Sequence, residues 1–270
     1  MSIARSYLFV PGDRPERFDK ALASGADRVV LDLEDAVAPE AKAGARAAVG
    51  ARLRSAQGAD LERFVVRIND ESTVWFEADL ALLQAGRAHA MMLPKAERPA
   101  TVARVRGACP QIEVLALIET ARGVLEADAI AGAPGVSRLV FGTIDFALDL
   151  SLSGDPAGFD PPASRLALVS RAAGLATPVA GVTTEIADET PLLADLARAR
   201  AHGFGAKLCI HPRQVAAVHA ALQPSAAEVE WARRVIAAAQ GQAGAVQVDG
   251  RMVDRPVVER ARALLARAGA

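Results

Sequence analysis

Eight short apolar runs, rich in β-branched residues, recur along the chain: Tyr7–Val10, Arg28–Leu33, Phe64–Ile68, Ala90–Leu93, Val114–Ile118, Leu139–Phe141, Pro178–Val182 and Ala206–Ile210. Each is too short for a helix and is bounded by polar or turn residues, the pattern of a buried strand. Just beyond their ends stand Asp13 and Arg14, Glu34 and Asp35, Asn69, Lys95, Glu119, Asp145, Thr183 and Thr184, and His211, while Asp32 and Arg67 sit inside the ends of their own runs. The intervening segments have helical spacing. They are Arg14–Ser24, Glu40–Arg54, Thr73–Gln84, Pro99–Gly107, Gly123–Gly132, Pro162–Ala173, Pro191–Ala201 and Arg213–Leu222. Strands alternating with helices predict an α/β fold with a parallel sheet, and eight such units are what closes a (β/α)8 TIM barrel. In that fold the chemistry gathers where the strands end, so the polar residues named above mark the rim of a site.

The chain continues past the eighth predicted strand for more than a barrel needs. Ser225 and Glu228 form a capping-box signature for a helix running to about Gln240. A glycine-rich joint at 241–244 follows, then Asp249-Gly250 between apolar residues, which predicts a tight hairpin. Asp254, just before Pro256, opens a last helix to about Ala268. The expected division is a barrel over residues 1–223 and a C-terminal helix–hairpin–helix arm over 224–270.

Composition narrows the partners. With 51% hydrophobic residues but only 4% aromatic ones, the core must be built from aliphatic side chains, as barrel interiors are. A formal charge of −1 sets up no field that would collect nucleic acid or an anionic membrane surface. No apolar run approaches the ~18 residues of a membrane span. The first strand begins too close to Met1 for a signal peptide, and Cys109 and Cys209 have neither disulfide nor zinc spacing, so a cytoplasmic location is expected.

Glu119 and Asp145 end the fifth and sixth strands, neighbours around the ring. Two carboxylates one strand apart in a water-filled mouth suit a hard divalent cation, Mg2+ above all, although either acid alone can equally cap a helix. Arg67 lies in an otherwise apolar strand, where a guanidinium is costly unless it meets a carboxylate. Asp32 and Glu34 share one face of the neighbouring strand and are its natural partners, and its remaining donors suit a substrate carboxylate or carbonyl. Lys95 is more simply an ion-pair partner than a Schiff-base amine. Arg14, Arg17 and Lys20 cluster around a loop and a helix start, a pattern that fits phosphate recognition or an exposed helix face.

Several segments stand together in a recognisable order: Arg5–Arg17 (RSYLFVPGDRPER), Leu31–Val37 (LDLEDAV), Val66–Asn69 (VRIN), Leu93–Lys95 (LPK), Leu117–Gly123 (LIETARG), Lys207–Gln214 (KLCIHPRQ) and Asp249–Asp254 (DGRMVD). Together they resemble the citrate lyase beta subunit-like proteins (CoA ester lyases) of the HpcH/HpaI aldolase superfamily. The resemblance implies a Mg2+-dependent carbon–carbon lyase, assembled as a homotrimer or hexamer. It would act on a 3-hydroxyacyl-CoA dicarboxylate of malyl-, citramalyl- or citryl-CoA type through a metal-stabilised enolate. Position by position, it implies that Glu119 and Asp145 hold the metal and that Arg67, with Glu119, Asp32 and Glu34, binds substrate. Arg14 and Lys20 would contact the CoA phosphates, and Asp254 would serve a neighbouring subunit's site as a proton-transfer group. The chain departs from its relatives at Ile144, where many carry a second acid before the aspartate, and in Leu148–Pro162, which reads as shorter. Two other readings stay open: a lyase or aldolase of free 2-oxo or hydroxy acids that does not use CoA, and a non-catalytic barrel.

Overall fold

The structure is a computed structural model and describes residues 3–240 and 245–268. Eight parallel strands close in sequence order into a barrel: β1 (Ser6–Pro11), β2 (Arg28–Asp32), β3 (Phe64–Arg67), β4 (Ala90–Leu93), β5 (Glu113–Ile118), β6 (Val136–Phe141), β7 (Val179–Ala180) and β8 (Ala206–Cys209). Alternate residues fill the interior, with Tyr7, Val30, Val65, Met92, Leu115, Leu117, Val140 and Leu208 packed in one cluster. The register places Asp32 opposite Arg67 at the upper ends of β2 and β3.

The lower end is closed by polar side chains turned to structural use. Arg138 donates to the carbonyls of Thr177 and Ala4, both at 2.6 Å, and to the Tyr7 hydroxyl at 3.1 Å. Ser6, His219 and Asp27 meet there too, but His219 uses the same Nε2 toward both Ser6 Oγ (2.8 Å) and Asp27 Oδ2 (3.3 Å).

Packing divides the chain into two compact units, residues 1–219 and 220–270. In the second, the helix Ala226–Ala239 opens on the Ser225–Glu228 capping box. A two-stranded hairpin, β9 (Val246–Val248) and β10 (Arg251–Val253), leads to the helix Arg255–Ala268. Ala232, Val235, Val253, Ala261 and Leu264 form its own small core. The expected joint at 241–244 lies outside the described residues.

The elements differ from expectation in a few places. β7 shrinks from the expected 178–182 to Val179–Ala180: Pro178 has no N–H to give, and the Gly181 carbonyl accepts from the Lys207 amine instead of a neighbouring strand. The expected helix 123–132 is two short ones, Ala121–Leu125 and Ala127–Ala131, turning at Glu126. The segment after β6 holds a helix, Thr143–Asp149, that carries Asp145.

Candidate active site at the barrel mouth

Arg67 is the centre of the polar mouth. Its Nε and Nη2 donate to the two oxygens of Asp32, each at 2.7 Å, a bidentate pair across the β2–β3 seam. Asp32 is fully buried and also accepts from the backbone N–H groups of Glu34 (2.9 Å) and Ala36 (3.2 Å), so its lone pairs are spent on holding the turn. The Nη1 corner lies 2.8 Å from Glu34 Oε2, close enough for an ion pair but off the direction of a hydrogen bond. Phe9 lies against the guanidinium, 4.7 Å from ring centre to Cζ. Burial works against the charge of Arg67, yet Asp32 and then Glu34 outweigh it and hold the group protonated. Glu34 goes the other way: burial pushes its carboxyl up to about 8, Arg67 only partly offsets this, and Glu119, Asp35 and Asp32 add repulsion. Arg67 therefore keeps its charge in either state of Glu34, because Asp32 already neutralises it.

Glu119 follows β5 and is buried to 3% exposure. Its Oε1 accepts the backbone N–H of Lys95 at 2.8 Å. Lys95 adopts a left-handed backbone, φ 42°, which costs a non-glycine residue energy and here turns that N–H toward the carboxylate. Burial pushes Glu119 up to about 7, the Lys95 N–H pulls down, and the charge of Asp145 pushes up again. Gly142 sits against the same side chain. A Cβ there would lie 2.5 Å from Glu119 Oε2, so only glycine lets the chain pass between β6 and the helix bearing Asp145. The result is a buried carboxylate that feels the charge of a second, half-exposed one, a repulsion that the Lys95 N–H and the Arg67 charge offset only in part. That hard-oxygen donor set fits Mg2+. Among the described residues no group of three or more His, Cys, Asp or Glu is arranged to hold a metal, so water and substrate oxygens would complete the shell.

Supporting residues that the sequence reading missed hold these groups in place. The buried Lys42 amine donates to the carbonyls of Leu33 and Glu34, both at 2.7 Å, and lies 5.1 Å from the Trp75 ring centre. It pins the turn that presents Glu34. Gly12 donates its N–H to the Asp32 carbonyl at 2.7 Å, where a Cβ would stand 2.6 Å from the same oxygen. Asp79, fully buried in the helix Phe76–Ala85, accepts from the Asn69 backbone (2.9 Å), the Asn69 amide (2.7 Å) and Arg46 Nε (2.7 Å). Gln214 ties the end of β8 to the loop after β7 by accepting from Ile210 N and donating to Thr183 O, both at 2.9 Å. These partners are mostly backbone atoms, which leave no periodic mark in a sequence.

The remaining candidates are placed as follows. Arg14 and Lys20 are exposed on the segment after β1, and Arg14 Nε lies 4.0 Å from Asp13 Oδ1. Lys95 is exposed, and the charges of Glu34, Asp70 and Glu119 outweigh burial and raise its amine above the usual range, opposite to the lowering that activates a Schiff-base lysine. His211 is half-buried, and its Nδ1 accepts from Arg213 N at 3.2 Å. Asp254 belongs to the second unit, where Oδ1 accepts from Val257 N at 3.3 Å and caps the last helix.

A family model described as HpcH/HpaI aldolase/citrate lyase matches residues 5–212, and one described as a C-C bond lyase of the TIM-barrel fold matches residues 167–270. The chain is 40% identical over 270 residues to a citrate lyase subunit beta-like protein of Mycobacterium tuberculosis, covering 97% of this chain and 95% of the relative. It is 37% identical over 273 residues to a (3S)-malyl-CoA thioesterase of Cereibacter sphaeroides, covering 98% and 95%. Among solved structures, protein CitE of Mycobacterium tuberculosis in complex with magnesium, acetoacetate and coenzyme A matches with a TM-score of 0.89 at 37% identity, over 100% of this chain and 99% of that one.

Proposed function

The chain belongs to the HpcH/HpaI aldolase/citrate lyase family, and from that premise we propose that it is a Mg2+-dependent carbon–carbon lyase acting on a 3-hydroxyacyl-CoA dicarboxylate of malyl-, citramalyl- or citryl-CoA type. The observation that carries this reading is the juxtaposition at the mouth. A guanidinium clamped on Asp32 keeps donors to spare beside a buried Glu119 that feels the charge of Asp145. Such a mouth accepts a small, oxygen-rich acid.

Glu119 and Asp145 are the residues that would hold Mg2+, as CitE structures contain magnesium with acetoacetate, oxaloacetate or pyruvate. When bound, the ion supplies Lewis-acid stabilisation of the oxygen on which charge develops. Arg67 orients the carboxylate and carbonyl oxygens of the oxo-acid half through the donors that Asp32 leaves available. Arg14 and Lys20 hold the CoA phosphates from the exposed segment after β1. Cleavage removes the proton from the 3-hydroxyl, breaks the adjacent C–C bond and returns a proton to the acyl-CoA carbon. We assign that proton transfer to Asp254, supplied by the arm of a neighbouring copy in a homotrimer or hexamer.

A second reading, hydrolysis of the thioester, is favoured by the name of the Cereibacter sphaeroides relative. Incubation of (3S)-malyl-CoA with the protein and Mg2+ separates the two. The lyase forms glyoxylate and acetyl-CoA with no free thiol, whereas hydrolysis consumes water and releases malate and CoA thiol. Neither product pair across malyl-, citramalyl- and citryl-CoA would overturn the CoA-ester assignment. An Arg14→Ala, Lys20→Ala protein should show a raised KM for the ester at little-changed kcat, and an unchanged KM would point to a substrate without CoA.

A further inference from the structure

A cavity of about 270 Å³ lies on the outer flank of the barrel, between β6–β8 and the helices Asp160–Ala172 and Thr190–Ala201. Asp32, Glu34, Arg67, Glu119 and Asp145 do not line it. On β8, Ala206 and Leu208 fill the barrel interior, so Lys207 between them faces the opposite way, into this outer layer. Lys207 is 1% exposed, yet the acceptor its ammonium meets is the Gly181 carbonyl, leaving two of its three donors without a hydrogen-bond partner among the described residues.

The other charges around the cavity are already engaged. Asp160 takes the Arg198 fork on both oxygens, each at 2.7 Å, and His202 Nε2 at 2.9 Å, and these bonds, Arg198's first, hold it below the usual carboxylate range. The other ring nitrogen of His202 is 2.9 Å from Ser164 Oγ. Asp195 is exposed on the rim and accepts from the Thr183 hydroxyl at 2.5 Å. Phe141, Phe159, Ala163 and Phe204 supply the apolar wall, with Phe141 and Phe159 edge to face at 6.1 Å. A buried ammonium short of acceptors is costly, and water or an anion must make up the deficit.

We propose that this cavity is a second small-molecule site, taking a compact monocarboxylate with an apolar body, its carboxylate on Lys207 and its body against the phenylalanines. Burial brings the Lys207 amine down to about 8, so the site is charged at neutral pH and loses affinity for an anion as pH rises past that value. The surrounding groups that titrate, Asp160, Asp195 and His202, are the ones placed above, and the nearby Cys209 thiol is pushed up by burial to about 12. An occupant would touch Phe141 and Thr143, either side of Gly142.

The test uses sodium benzoate on the full chain, followed by calorimetry at pH 7, with benzamide as the uncharged probe of the same shape. Expected is saturable one-to-one binding, at least tenfold tighter for benzoate than for benzamide and weakened at least tenfold between pH 7 and pH 9.5. Lys207→Met should remove the preference for benzoate. Ala163→Leu, which keeps the amine but fills the cavity, should weaken both probes and carries the test if the Lys207 variant does not fold. Glu119→Gln should leave benzoate binding unchanged. The proposal is overturned by no saturable binding at 10 mM benzoate, by equal affinity for the two probes, by indifference to Ala163→Leu, or by loss of binding in Glu119→Gln, which would send the anion to the mouth.

Discussion

Truncating Arg67 to alanine would strand Asp32, fully buried and already committed to two backbone N–H groups, without its counter-charge. Breaking a buried pair in this way costs about 3–5 kcal/mol, so Arg67→Ala should lower the melting temperature sharply. Arg67→Lys keeps the charge but not the fork. It should fold and lose roughly 10²-fold in kcat/KM, and a loss below about threefold would remove Arg67 from the reacting site. Glu34 gives a pH signature. Its folded pKa, about 8, lies above the ordinary 4.5, so its contribution to stability is present at acid pH and is lost as pH rises from about 4.5 through 8. In EDTA, the parent should lose about 7–14 °C more than Glu34→Gln between pH 5 and pH 8, since the shift is worth roughly 3.5 kcal/mol over that range at roughly 2–4 °C per kcal/mol. Identical pH slopes would contradict a buried Glu34 that Arg67 compensates only in part. Arg67 was legible in the sequence because a guanidinium in an apolar strand demands a carboxylate, and Asp32 and Glu34 were the acids in reach. Lys42 and Asp79 were not, because Lys42 meets backbone carbonyls and Asp79 meets the Asn69 N–H, the Asn69 amide and Arg46, all brought near only by the fold.

At the level of elements, the strands announced themselves through β-branched runs, and their rim residues followed from where each run stopped. What sequence spacing missed is how the ends are fastened. Asp79 joins the helix Phe76–Ala85 to the end of β3 through Asn69. Asp79→Ala would leave those donors and Arg46 unsatisfied and should cost about 2–4 kcal/mol, read as a drop in chemical-denaturation midpoint. A midpoint within error of the parent would show the anchor to be redundant. β7 was overestimated for a related reason: apolar character persists through Val182, but the Gly181 carbonyl is diverted to Lys207. Gly142 and the left-handed Lys95 are likewise backbone solutions to placing Glu119, invisible to any count of hydrophobic period.

On the scale of the whole molecule, packing gives two compact units, residues 1–219 and 220–270. The reading of Asp254 as a group lent to a neighbour predicts complementation between subunits. Glu119→Gln and Asp254→Asn proteins, each inactive alone, should regain about a quarter of the parent's activity when refolded together in equal amounts, because random mixing unites an intact pair at that frequency. No recovery would confine Asp254 to its helix cap. The central claim is narrower, that Glu119 and Asp145 share one ion, and calorimetric titration with Mg2+ tests it most directly. The account predicts one ion per chain, an affinity at least tenfold weaker in either Glu119→Gln or Asp145→Asn, and little further loss in the double variant. Undiminished Mg2+ binding in both single variants would contradict it.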